Sequence, residues 1–155
     1  MNNASFKLSI EKKKETKKFN LNILYYDEYL LNKENSNNCS FLYTNMNGTF
    51  YGCHYFDLFK IVCEKIKRNK KEFILITSGS SAQKIFNYCS DINEIREYFI
   101  YCFKEEKYKS LVKEYPKLKG IYSKFKNLVN KLYAIKEMEI NNISSSNLIF
   151  FEDYN

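Results

Sequence analysis

The sequence predicts an α/β fold of three layers, α/β/α, built on a five-stranded parallel sheet in the order 2-1-3-4-5. Three observations carry this reading. Short apolar runs alternate five times with segments of helical spacing. Strands that alternate with helices imply a parallel sheet with right-handed crossovers and helices on both faces. The stretch Glu72 to Phe86, EFILITSGSSAQKIF, shows the unit itself, since an apolar run breaks at a Ser/Gly cluster and resumes as a helix. Five such units in roughly 120 residues suit a flavodoxin-like order better than a longer Rossmann chain.

Each element follows in turn. Leu21 to Tyr26 is a compact apolar run that stops at Asp27-Glu28 and reads as a buried first strand. From Asn35 to Asn47, the residues Cys39, Leu42, Tyr43 and Met46 fall three and four apart, and Asn47-Gly48 ends the helix they define. Thr49 to His54 is the second strand. Asp57 precedes Leu58, Ile61, Val62 and Ile66 and a Lys/Arg-rich tail, giving a helix acidic at its start and basic at its end. Phe73 to Thr77 is the third strand, with a helix from Ser80 to Cys89 behind it. Arg96 to Cys102 is the fourth strand, and a polar helix from Glu105 to Lys113 follows. Pro116 closes that connection before the fifth strand, Leu118 to Tyr122. Phe125, Leu128, Val129, Leu132, Tyr133 and Ile135 then form a helical stripe.

The expected organisation is a flexible basic arm over 1–20, the α/β domain over 21–137, and a C-terminal extension or the start of a following region over 138–155. The last segment lies outside the repeat, and its apolar Leu148 to Phe151 must dock on this domain, on another copy or on a following domain. The chain is expected to be a fragment of a longer protein.

The 155 residues are 45% hydrophobic and 28% charged, enough for one domain with one core. The net charge of +7 would suggest nucleic acid, but it is unevenly spread. Residues 1–20 hold six Lys and two Glu, whereas the rest carries nineteen Lys or Arg against sixteen Asp or Glu. The globular part therefore has a mixed, ordinary surface. The basic stretch Lys65 to Lys71 offsets a helix dipole, and the aromatics fall at core periods, so nucleic-acid binding is disfavoured. No apolar run reaches the roughly 20 residues of a membrane span.

Cys39, Cys53, Cys63, Cys89 and Cys102 are each ten or more positions apart, with no Cys-x-x-Cys pair. They read as reduced, buried thiols of a cytoplasmic protein. His54, beside Cys53, lacks a nearby orienting group and reads as structural, so neither a nucleophile nor a metal site is expected. No cofactor is expected.

The turn Ser78-Gly79-Ser80-Ser81 after the third strand is the one candidate site. A helix start there presents free backbone N–H groups, Gly79 permits close approach and the hydroxyls add donors, so a phosphate or carboxylate could be held. The alternative is simple N-capping by Ser80 or Ser81. Asp27 and Glu28, after the first strand, are expected across the same crevice. Walker spacing is absent, which argues against nucleoside triphosphates.

Three resemblances bear on these residues. The Ser/Gly turn resembles the phosphosugar loop of sugar-isomerase-type domains over one strand-turn-helix unit. Asp27-Glu28 resembles the acidic pair with which response-regulator receiver domains hold Mg²⁺. A receiver also needs an acceptor Asp after its third strand, where this chain has Thr77-Ser78, and a Lys after its fifth, where Ser123-Lys124 stands. Read together, Phe73 to Gly79, Tyr98 to Phe103 and Tyr115 to Ile121 resemble a receiver-like module of large eukaryotic multidomain proteins. That resemblance implies a non-catalytic signalling or scaffold module whose partner is another protein or an adjacent domain of the same chain. The alternative is a binder of, or an enzyme acting on, a phosphorylated small molecule at Ser78 to Ser81.

Overall fold

The computed structural model describes residues 20–154, with side-chain detail through Glu139. The expected basic arm over 1–20 falls almost wholly outside these residues. The elements are β1 (Leu21–Tyr26), α1 (Lys33–Asn45), β2 (Asn47–Cys53), α2 (Phe56–Asn69), β3 (Phe73–Ser78), α3 (Ala82–Cys89), β4 (Ile95–Tyr101), a 3₁₀ turn (Glu105–Tyr108), α4 (Leu111–Glu114), β5 (Leu118–Tyr122) and α5 (Phe125–Tyr154). The five strands form one sheet in the order β2-β1-β3-β4-β5, and every neighbouring pair is parallel. This is the α/β/α arrangement and strand order that the sequence predicts.

Successive residues of a strand point to opposite faces, so strands covered on both sides must be apolar throughout. In β1, Leu24 and Tyr26 join a core with Phe59, Cys63, Ile66, Ile85 and Phe86 from α2 and α3. Leu21, Ile23 and Tyr25 join a second core with Leu42 of α1, Met46 just after it, and Leu128 and Leu132 of α5. β3 divides in the same way, Phe73 and Leu75 against Ile74 and Ile76. The chain leaves β1 towards β2 and later returns past β1 to β3. The carboxyl ends of β1 and β3 therefore flank the point where the winding reverses, where open α/β sheets keep a crevice.

Local chemistry sets the ends of the helices. The Asn32 side chain accepts the Asn35 N–H at 2.9 Å and caps α1. Asn47, at φ 58°, turns the chain out of α1 into β2, a left-handed position that Asn tolerates. At Gly48 a Cβ would run into the Leu21 carbonyl, which is why a residue without one stands there. α2 carries Asp57 in its first turn and Lys67 and Arg68 in its last, matching the helix dipole.

One sequence expectation changes. The polar helix expected from Glu105 to Lys113 is two short pieces, a 3₁₀ turn and the four-residue α4. Pro116 disfavours helical backbone at the residue before it, and Tyr115 is extended at φ −122°, ψ 98°. Tyr108, Leu111 and Tyr115 instead anchor the connection on the α2/α3 core. The last helix, α5, runs from Phe125 to Tyr154 and so crosses the expected boundary between 137 and 138 without a break. The docking of Leu148 to Phe151 lies outside the described side chains.

Candidate functional site: a crevice at the carboxyl edge of the sheet

A crevice of about 400 Å³ opens at the carboxyl ends of β1, β3 and β4. Its walls include Asp27 after β1, Ser78, Gly79 and Ser80 after β3, and Tyr101 at the end of β4. The structure thus brings together Asp27 and three of the four turn residues singled out from sequence. Glu28 does not belong: it is exposed and outside the crevice lining. Its neighbours Asp27 and Tyr29 take the crevice-facing positions as the chain turns away from β1. Ser81 is also withdrawn, buried as the N-cap residue of α3.

Asp27 is 7% exposed and held in place on both oxygens. Oδ1 accepts the Tyr29 N–H at 2.8 Å, and Oδ2 accepts Asn35 Nδ2 at 3.3 Å. The same amide donates to the Tyr29 carbonyl at 2.9 Å, so α1 is tied directly to the β1 loop. Burial raises the Asp27 pKa above the ordinary carboxylate range, and the Tyr29 N–H offsets part of that effect. Glu34, in the first turn of α1, accepts the Tyr101 hydroxyl at 3.3 Å across the crevice. Burial, with Glu34 next in importance, raises the Tyr101 pKa.

The Ser/Gly turn differs from the cradle expected of it. Ser81 occupies the N-cap of α3 with helical φ and ψ, and its side chain makes no capping bond. The Ser78 hydroxyl oxygen is buried without a hydrogen-bond partner. Gly79 has a negative φ, so the turn does not need glycine for its backbone. It needs glycine for space, because the Tyr108 ring lies where a Cβ would go. The close approach that Gly79 permits is made by this side chain.

The rim is aromatic. Tyr29 is 70% exposed and Phe103 96% exposed, and both line the crevice together with Tyr108. Sequence reasoning passed over Tyr29, Glu34, Tyr101, Phe103 and Tyr108. Their signal was weak: each sits at an element end or within three residues of one, with no periodic pattern to mark it.

The remaining candidates resolve as structural. Cys53 is fully buried, and burial pushes its thiol up to about 12, far from a thiolate at neutral pH. The His54 ring makes an edge contact with Tyr55 at 4.8 Å between centroids. All five cysteines are free thiols, and among the described residues no cluster of His, Cys, Asp and Glu is arranged to hold a metal ion. Among the described residues, no helix is long and apolar enough to cross a membrane. The fold and crevice define a five-stranded, doubly wound α/β domain with an acidic, aromatic-rimmed carboxyl edge. No family model matches the chain, and neither does any curated protein or solved structure.

Proposed function

We propose that this chain is a non-catalytic regulatory or protein-interaction module, of a signalling or scaffold kind, within a larger cytosolic protein. One observation carries the reading: the largest exposed apolar side chain of the carboxyl edge, Phe103, borders the same crevice as the exposed Tyr29. Exposed aromatics grouped at a concave edge are costly in water and are typical anchors of protein contacts. The resemblance to receiver-like modules points the same way, and the chain lacks a carboxylate at the end of β3 to accept a phosphoryl group.

The alternative, a phosphorylated ligand at Ser78 to Ser81, finds less support in the geometry. The Tyr108 ring stands over Gly79, and the carboxylates of Asp27 and Glu34 face the space where a phosphate would lie. Like charge in a half-buried crevice weighs against an anion.

The reading is tested with the full chain as bait in extract of its source cells, beside two variants. Phe103→Asp alters the crevice rim and Ile61→Asp alters the exposed face of α2. A partner retained by the wild type and by Ile61→Asp but lost by Phe103→Asp supports the module. Identical capture by all three, or none, overturns it.

A further inference from the structure

We propose that the carboxyl-edge crevice receives a cationic side chain of the partner protein, the ammonium of a Lys or the guanidinium of an Arg. The group would sit between the carboxylates of Asp27 and Glu34 and the rings of Tyr29 and Phe103. This inference rests on the interaction-module reading and names the chemistry of its partner.

The charges select the sign of the occupant. Among the described residues no Lys or Arg lines the crevice, whereas Asp27 and Glu34 both do. A third carboxylate stands one hydrogen bond behind the wall, where Glu105 accepts the Ser123 hydroxyl at 2.6 Å. Lys107 lies over the Tyr108 ring at 5.7 Å from its centre and outside the lining. Among the described residues no group of three or more His, Cys, Asp or Glu is arranged for a metal ion.

Two unpartnered hydroxyls supply an independent observation. Tyr25 is 0% exposed, its hydroxyl has no hydrogen-bond partner, and Asp27, Tyr101 and Glu34 of the crevice lining are near enough to act on it electrostatically. The Ser78 hydroxyl is likewise buried and unpartnered on the opposite wall. Buried polar groups in folded proteins are nearly always paired. A hydroxyl oxygen can accept as well as donate, and the two carboxylates only accept, whereas an ammonium or guanidinium brings several N–H donors and no acceptor. The rim completes the match, because aromatic faces attract cations. Tyr29 is 70% and Phe103 96% exposed, and large exposed aromatic faces beside a charged pocket favour a side chain carried by a protein over a free amine.

The test is an NMR titration of the ¹⁵N-labelled full chain. The probes are Nα-acetyl-lysine methylamide and its arginine counterpart, with the uncharged norleucine analogue and inorganic phosphate as comparators. The expected result is saturable shifts at the amides of Asp27, Ser78, Gly79 and Phe103 with the cationic probes. Binding should weaken about tenfold with norleucine and in Glu34→Gln, the scale of one charge-assisted hydrogen bond. Glu34 is exposed, so that variant keeps the fold. Equal shifts with norleucine or phosphate, no saturable shift, or an unchanged Glu34→Gln would overturn the cation site. If the cation fails while Phe103→Asp still abolishes partner capture, the module stands and only the chemistry of its partner falls. If the amides bind but capture ignores Phe103, the crevice serves a free amine, and the protein side chain is ruled out.

Discussion

The ring of Tyr108, from the 3₁₀ turn after β4, covers the Cα of Gly79, from the turn after β3, so closely that a methyl group on Gly79 would occupy the ring's own volume. The two loops at the centre of the crevice are therefore interlocked by the absence of one Cβ. Gly79→Ala should displace the ring outward, not break the turn, because the Gly79 backbone is one that any residue can adopt. Tyr108 is half-buried, so losing its contact should cost about 1 kcal/mol in urea denaturation. In Tyr108→Ala the further addition of Gly79→Ala should cost almost nothing, and a double-mutant cycle measures the coupling. Additive costs would mean that the ring and the glycine are independent.

A second prediction contrasts two aromatic residues four positions apart. Phe99 is 0% exposed in the α1/α5 core, while Phe103 is almost wholly in solvent. Phe99→Ala should cost roughly 3–5 kcal/mol of stability, through lost transfer energy and the cavity left behind. Phe103→Ala should stay within about 0.5 kcal/mol, so its effect on partner capture can be read without a folding defect. Chemical denaturation of both variants checks the contrast.

The pH dependence of stability should carry the signature of Asp27. Burial raises its folded-state pKa above the unfolded value, so the fold favours the protonated form. The stabilisation this gives is fully present below the unfolded pKa of about 3.9 and is lost as pH rises through the folded value. Asp27→Asn keeps an acceptor for the Tyr29 N–H and removes the titration. The stability of the wild type relative to Asp27→Asn should therefore fall as pH increases from about 4 and level off once the carboxyl is ionised. Urea titrations across that range test it, and a relative stability that rises with pH would contradict the burial argument.

The cysteines should be inert in the native state. Cys53, Cys63 and Cys89 are buried, and burial pushes Cys39, like Cys53, up to about 12. Burial also raises Cys102 above the ordinary thiol range. Iodoacetamide at neutral pH should label the folded chain slowly and label all five thiols in denaturant. Rapid native labelling of Cys53 would restore a reactive role for the Cys53-His54 pair.

The fold was legible because period and punctuation are local properties. Leu21 to Tyr26 and Phe73 to Ser78 are apolar on both faces, a pattern that only a strand covered on both sides requires, and β5 has the bounds its sequence suggests. The β4 to β5 connection was less legible, since its polar residues carry little period and its shape follows from where Tyr108, Leu111 and Tyr115 find the core. The candidate site was legible in half. Asp27 and the Ser78 to Ser80 turn were visible as element ends, but that Asp27 and not Glu28 faces inward depends on how the loop leaves the sheet.

By itself, the amino-acid sequence determined the strands, the helices with a clear apolar stripe and the five-stranded parallel sheet, because a strong apolar period dictates which face must be buried. The tertiary structure alone decided which residues meet. It joins Tyr101 to Glu34 across 67 positions, sets Tyr108 over Gly79, and gathers carboxylates, orphan hydroxyls and exposed rings at one edge. Those encounters depend on strand order and crossover path, which place residues distant in the chain within a few ångströms and leave no periodic trace in the sequence.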